Sequence, residues 1–176
     1  MRIATAFIAV FATFLGAAHA DSYVGLGIGA NAPISGTIGD AFSTGDARNA
    51  RFTFGQRAGN IAVEGSLYGT ELHRGQETFH TLSVGLDLKY HLPLFVGLGA
   101  YGKAGVHRTW LQGDDEVLDS YAGNSYAFGG GLDYTFALAT LYLDYTHQAL
   151  DLNSDRSPVI LDGNANIVSA GVSLHF

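Results

Sequence analysis

The residues best suited to chemistry include a group of acidic side chains that lie close together in one polar segment. The group consists of Asp114, Asp115, Glu116 and Asp119. Clustered carboxylates can bind Ca²⁺ or Mg²⁺. Their spacing differs from that of an EF-hand loop, and no glycine stands where that loop must turn. We therefore expect a solvated acidic loop, with a divalent cation bridging to lipid phosphate groups as the alternative.

A second set of charges recurs at alternating positions, among small and polar residues. The set comprises Arg51, Arg57, Glu64, Asp87, Lys89, Lys103, Asp133 and Asp144. Both signs are equally represented, and a buried charge without a partner costs several kcal/mol. The balance predicts an interior closed by salt bridges, whereas a cation-selective pore would favour an excess of one sign. The sequence leaves open which residues pair.

Strands are the elements that would position these charges, because apolar and polar residues alternate with a period of two from Ser22 to the end. We predict eight strands, at residues 22–30, 49–57, 60–69, 78–91, 94–107, 125–136, 139–148 and 165–176. Most are longer than the roughly five or six residues of a typical strand. They approach the roughly 9 to 11 residues that a tilted transmembrane strand needs.

The predicted connections alternate between short and long. Tight turns are expected at Ala58-Gly59, Leu92-Pro93 and Ala137-Leu138, and long polar loops at residues 31–48, 70–77, 108–124 and 149–164. Short turns at one end and long loops at the other are typical of outer-membrane barrels. An even number of strands would place both chain ends on the short-turn, periplasmic side.

Composition excludes several other classes of protein. The chain has 24 Gly and 3 Pro, only 14% charged residues and no cysteine, so neither a disulfide nor a thiolate metal site can form. Beyond the first twenty residues, no stretch is apolar for long enough to form a transmembrane helix. The formal net charge of −7 argues against nucleic-acid binding.

Residues 1–20 have the organisation of a secretory signal peptide. Arg2 supplies the positive charge, Ile3 begins an apolar run, and Ala18-His19-Ala20 forms a small-x-small cleavage site. We predict export by the Sec route, with residues 21–176 forming one barrel domain.

The composition of the two strand faces predicts which face meets lipid. The polar face consists mostly of Gly, Ala, Ser and Thr, which suit the crowded interior of an eight-stranded barrel. The apolar face carries aromatic residues at both ends: Phe54, Tyr90, Tyr134, Phe136 and Phe176 near the tight turns, and Tyr126 and Tyr145 towards the long loops. Two such girdles flank a lipid-facing surface. The fold class predicted is all-β, an eight-stranded antiparallel up-and-down transmembrane barrel.

The final strand carries the most specific motif. Ser169, Gly171, Leu174 and Phe176 have the spacing polar-x-Gly-x-x-apolar-x-aromatic. This ending resembles the assembly signal of bacterial outer-membrane barrels, and the whole chain after residue 20 resembles the eight-stranded family. That family includes the OmpA transmembrane domain, OmpX and Ail, neisserial surface protein A and the opacity proteins. The resemblance implies a monomeric, barrel-only protein of the Gram-negative outer membrane that contacts lipopolysaccharide and the barrel-assembly machinery.

The resemblance implies a structural or surface-binding role through four extracellular loops, without catalysis or cofactor. The four loop segments hold eleven acidic and four basic residues, which makes a basic host or cell surface a possible partner. One alternative is a lipid A-modifying enzyme, but the deacylases of this type carry His-x-Ser, and no histidine here, including His147 at the rim, has Ser two positions later. The other alternative is a narrow channel for small or apolar solutes.

Overall fold

The computed structural model describes residues 21–31, 34–41, 48–74, 77–113, 121–153 and 161–176. The predicted signal peptide and the acidic residues Asp114, Asp115, Glu116 and Asp119 lie outside these ranges. Among the described residues, no helix has the length and apolar character that a membrane-crossing helix requires.

Nine strands and one short helix make up the described fold. In chain order they are β1 (Asp21–Asn31), β2 (Ser35–Gly36), α1 (Thr37–Ala41), β3 (Arg48–Ala58), β4 (Ile61–Arg74), β5 (Glu77–Pro93), β6 (Leu98–Gly113), β7 (Tyr121–Phe136), β8 (Ala139–Asn153) and β9 (Leu161–His175). Eight of the strands are long, and the two-residue β2 pairs with β9 beside them.

The eight long strands close into an antiparallel barrel. Each pairs with the next along the chain, and β9 returns to pair with β1. Following paired residues once around the wall from Asp21 leads back to β1 at Asn31, ten residues further along. This stagger accompanies the strand tilt that closure requires, and closure leaves no free sheet edge. The predicted eight-stranded barrel is confirmed.

The faces of the strands are also as predicted. Along β5, Asp87 is 1% exposed whereas the adjacent Leu88 is 57% exposed. Along β1, Tyr23 is buried while Ile28 is 76% exposed. Apolar side chains therefore cover the outside of the wall, and the polar face lines the interior.

The turn between β5 and β6 corrects one prediction. The tight turn at Leu92-Pro93 and the strand beginning at Leu94 are both wrong, because β5 continues to Pro93 and β6 begins at Leu98. The amide of Leu94 donates to the carbonyl of Leu98 at 3.0 Å, and Gly97 has a φ of 78°. The run Leu94-Phe95-Val96 resembles strand sequence, but the left-handed glycine lets the chain reverse direction here.

Several strands extend further at the long-loop end than the alternation predicts. In this outer part the polarity of the two faces is inverted, because apolar side chains now point inwards and polar ones outwards. The buried apolar cluster consists of Ile38, Leu72, Phe79, Leu111 and Leu152, with Ile34, Tyr121 and Leu150 packed against it. Outward neighbours on the same strands include Glu71, His80 and Asp151, all of which are exposed.

Helix α1 covers this outer mouth. Its Ile38 is 1% exposed and completes the apolar cluster. The hydroxyl of Thr37 donates to the carboxylate of Asp162 at 2.7 Å and accepts from the Asp162 amide at 2.8 Å. Together with the β2–β9 pairing, these bonds hold the segment across the barrel end.

Candidate functional site in the barrel interior

The middle of the interior is filled by a chain of salt bridges centred on Arg51. Its guanidinium lies 2.6 Å from Glu64 and 2.9 Å from Asp144. Lys89 contacts Glu64 at 2.5 Å, and Lys103 contacts Asp144 at 2.7 Å. The two carboxylates therefore each bridge two cations. This arrangement supplies the pairing that the sequence leaves open.

Tyrosine side chains complete the solvation of these buried charges. Tyr23 donates to Glu64 at 2.9 Å and Tyr101 donates to Asp144 at 2.6 Å. The ring of Tyr68 lies 5.0 Å from the Arg51 guanidinium carbon. Ion pairs removed from water are stable only when further hydrogen bonds satisfy the remaining polar atoms. The tyrosines meet that requirement for Glu64 and Asp144, whereas Arg51 Nε has no hydrogen-bond partner among the described residues.

Two histidine–carboxylate pairs flank the central layer. His91 Nδ1 lies 2.9 Å from Asp133 on the tight-turn side, and His107 Nε2 lies 3.0 Å from Asp87 on the outer side. Ser66 also donates to Asp87, at 3.0 Å. The sequence reasoning missed both histidines, although they share strand parity with Lys89 and Lys103. That parity is the signal that could have identified them.

Seven of the eight predicted charges lie buried inside the barrel: Arg51, Glu64, Asp87, Lys89, Lys103, Asp133 and Asp144. Arg57 is different. Its Nε donates to the carbonyl of Gly59 at 2.9 Å, at the β3–β4 turn. Because Arg57 stands next to the end of β3, its long side chain reaches the turn rather than the central layer.

The central layer separates two small cavities in the described part of the interior. Each has a volume of about 40 Å³, and the inner one is lined by polar groups such as His91 and Asp133. The outer one is lined mainly by apolar side chains, including Ile38, Leu111 and Leu152. Volumes of this size hold a few water molecules at most. Between them, buried charges and aromatic rings occupy the lumen.

The predicted assembly residues divide between the two faces of β9. Ser169 is buried, Gly171 faces the interior, and Leu174 and Phe176 point outwards with 55% and 77% exposure. A side chain at Gly171 would overlap the hydroxyl of Tyr142. The alternation within the motif therefore has a packing role inside and an exposed apolar surface outside.

His147 lies on the outer wall, away from the interior charges. Its Nδ1 is 2.8 Å from the side-chain oxygen of Asn166, which also accepts from Tyr145 at 2.8 Å. The ring packs against Phe128 with centroids 4.7 Å apart. These contacts are those of a polar residue at a membrane interface. Across the described ranges, no group of three or more His, Asp or Glu side chains is arranged to hold a metal ion.

Comparison with known proteins gives the same architecture. The crystal structure of neisserial surface protein A matches with a TM-score of 0.74 at 15% identity, over 90% of this chain and 99% of that chain. Ail of Yersinia pestis matches with a TM-score of 0.58 at 16% identity, over 90% and 99% of the two chains. The N-terminal barrel of Pseudomonas aeruginosa OprF matches with a TM-score of 0.57 at 18% identity, over 88% and 97%.

Two further solved structures share the fold. Ail has also been crystallised in complex with the heparin analogue sucrose octasulfate, and it matches in that form with a TM-score of 0.56. The outer membrane enzyme PagL matches with a TM-score of 0.50 at 13% identity. No curated protein matches the sequence of this chain.

The sequence matches the family model of the outer membrane protein beta-barrel domain over residues 4–176. Almost the whole chain is covered, and the closed barrel with its apolar outer wall is the structure this family name describes. The chain therefore belongs to the outer membrane beta-barrel family and is a protein of the Gram-negative outer membrane.

Proposed function

We propose that this protein is a non-catalytic barrel whose role is structural or surface-binding and is carried by its extracellular loops. The observation that carries the proposal is the filled interior. The salt-bridge layer around Arg51 and the apolar cluster under α1 occupy successive levels of the lumen. A rigid, closed barrel of this kind supports loops that contact other surfaces.

Conductance across a planar lipid bilayer tests the closed interior. We expect the purified protein to give no steady unit currents, because Arg51, Glu64 and Asp144 block the path. A double variant, Arg51→Ala with Tyr68→Ala, serves as the positive control because it removes two large side chains from the layer. Steady unit currents from the unmodified protein would contradict the closed-barrel role.

The sign of the loop charge indicates the chemistry of the partner. The segments that join the long strands at the outer end, residues 32–47, 75–76, 114–120 and 154–160, carry seven acidic residues against one basic residue, so a cationic surface or peptide is favoured. Ail binds a polyanionic sugar analogue. The likeness in fold to Ail therefore supports a surface-binding role. The acidic loops of this chain, however, favour a cationic partner instead of an anionic one.

Binding of the protein in lipid nanodiscs to immobilised polylysine tests this preference, with immobilised heparin as the opposite surface. We expect binding to polylysine that weakens when Asp114, Asp115, Glu116 and Asp119 are replaced by their amides. Equal binding by the variant, or preferential binding to heparin, would refute a cationic partner.

The apolar outer cavity favours one second candidate, the binding or passage of small apolar solutes. Leu72, Leu111 and Leu152 line a small cavity together with further apolar side chains. Cells with and without the protein can be compared for uptake of a labelled alkane. Faster uptake with the protein would support this candidate over the purely structural role. The lipid-modifying alternative is less favoured, because the hydrogen-bond partner of His147 is the side-chain oxygen of Asn166, which also accepts from Tyr145, and not a serine.

A further inference from the structure

Arg108 lies on the outside of the barrel wall, away from the interior network. Among the Lys and Arg side chains that the structure describes, only Arg108 projects from the outer wall of the barrel. It follows the buried His107 and precedes the buried Thr109 on β6. The strand alternation therefore directs Arg108 towards the surrounding lipid.

The neighbours of Arg108 place it at the outer edge of the apolar band. Below it on the outer wall lie Val106, which is 53% exposed, and Tyr126, which pairs with Val106 and is 70% exposed. Level with it and above it lie Asn124, its partner on β7, and Trp110. Aromatic residues concentrate at the membrane–water interface, and an arginine is tolerated there but not at the bilayer centre. This level is where the phosphate groups of outer-leaflet lipids lie.

The side chains around Arg108 hold it in place and leave donors available. Its Nη1 donates to the side-chain oxygen of Asn124 at 3.2 Å, and its guanidinium carbon lies 5.7 Å from the Trp110 ring centroid. A guanidinium has five N–H donors, so several remain after this bond. Among the described residues, no carboxylate lies within 4.0 Å of Arg108. By register, Asp151 is the partner of Asn124 on the next strand.

We propose that Arg108, Trp110 and Asn124 form a binding site for a phosphate group of an outer-leaflet glycolipid. The planar guanidinium can bind phosphate with two parallel hydrogen bonds. The amide nitrogen of Asn124 supplies a further donor, since its oxygen is already used by Arg108. Val106 and Tyr126 offer an apolar surface to the chains of the same lipid. The site depends on the position of the barrel in the membrane and not on the loop-binding role.

The surroundings of Arg108 favour a lipid phosphate over free phosphate. Arg108 and Asn124 are exposed on the outer wall, and the exposed apolar pair Val106 and Tyr126 lies directly below them. A headgroup phosphate arrives there together with acyl chains that bury apolar surface, whereas free phosphate gains only the hydrogen bonds.

Native mass spectrometry of the detergent-solubilised barrel with purified lipid A tests the site. The probes are lipid A with two phosphate groups and the same lipid after dephosphorylation. We expect the unmodified protein to retain the phosphorylated form and Arg108→Gln to weaken that retention about tenfold, as the loss of a charged, paired hydrogen-bond donor implies. Arg108→Lys should fall between them, because lysine keeps the charge but not the paired donors.

Arg57→Gln is the matched control, since it removes the same charge at the tight-turn end. The folded fraction of each variant is checked by its change in gel mobility on heating. Retention by Arg57→Gln at the unmodified level supports the proposal. Equal retention by Arg108→Gln and the unmodified protein overturns it. Equal retention of the two lipid forms also overturns it, as does competition by millimolar inorganic phosphate alone.

Discussion

At the scale of single residues, the interior depends on shared partners. Arg51 contacts two carboxylates, and each of these contacts a lysine as well. Removing one member of such a buried group leaves charges without partners, which costs about 3–5 kcal/mol. The charges in this layer are therefore interdependent, and the predicted balance of signs reflects that dependence.

Tyr142 shows how glycines make room for the large rings of the interior. A side chain at Gly27 would overlap the Tyr142 hydroxyl, which has no hydrogen-bond partner among the described residues. We expect Gly27→Ala to lower the free energy of unfolding by about 1–3 kcal/mol, the usual effect of overpacking. The measurement is urea unfolding of the barrel in lipid vesicles.

A double variant tests whether the overlap with the Tyr142 hydroxyl causes this loss of stability. Adding Tyr142→Phe removes the hydroxyl that the new methyl group meets, so most of the lost stability should return. If Gly27→Ala and the double variant are equally unstable, the backbone and not the tyrosine causes the effect.

At the scale of elements, several strands change their polarity pattern along their length. In β8, Leu143 points outwards and is 51% exposed, whereas Leu152 points inwards and is 2% exposed. The part of β8 around Leu143 faces lipid on its outer side, whereas the part around Leu152, nearer the long loops, faces water. The change arises because the apolar side chains turn from lipid towards one another where lipid ends.

A pair of leucine variants on β8 tests this change of environment. Leu152→Ala should lower the free energy of unfolding by about 2–5 kcal/mol, because it leaves a cavity in a packed cluster. Leu143→Ala should cost clearly less, because lipid chains can fill the space that it vacates. Unfolding in vesicles measures both, and an equal cost would contradict the inverted polarity of the outer strand.

At the scale of the whole molecule, closure joins the two ends of the described barrel. The amide of Ser22 donates to the carbonyl of Phe176 at 3.3 Å, and the amide of Phe176 donates to the carbonyl of Ser22 at 2.9 Å. These bonds use the backbone alone. The aromatic ring of Phe176 is mostly exposed, so its side chain contributes little to closure itself.

We therefore expect Phe176→Ala to reduce assembly in the outer membrane more than it reduces the stability of the folded barrel. Fractionation of cells measures the first quantity, and unfolding in vesicles measures the second. Phe95→Ala is the matched control, because Phe95 is also an exposed aromatic at the tight-turn end. Outer-membrane levels of Phe176→Ala equal to those of the control would refute the assembly role.

The sequence predicted the number, direction and inward face of the membrane strands because these depend on local alternation. It did not predict the upper parts of the strands. There the inward side chains, such as Leu111 and Leu152, are apolar and the outward ones are polar, so the pattern that marks the membrane strands is reversed and the segments resemble loops. It also placed one turn wrongly, at Leu92-Pro93, where an apolar run precedes a left-handed Gly97.

The sequence by itself determined that this chain forms an eight-stranded barrel with charges inside and an apolar wall outside. The tertiary structure alone decided which charges meet, that α1 covers the outer mouth, and that Arg108 stands on the wall beside Trp110 and Asn124. The physical reason is the strand register that barrel closure imposes. Arg51 and Asp144 are far apart along the chain, and only the stagger of the closed barrel brings their side chains to 2.9 Å.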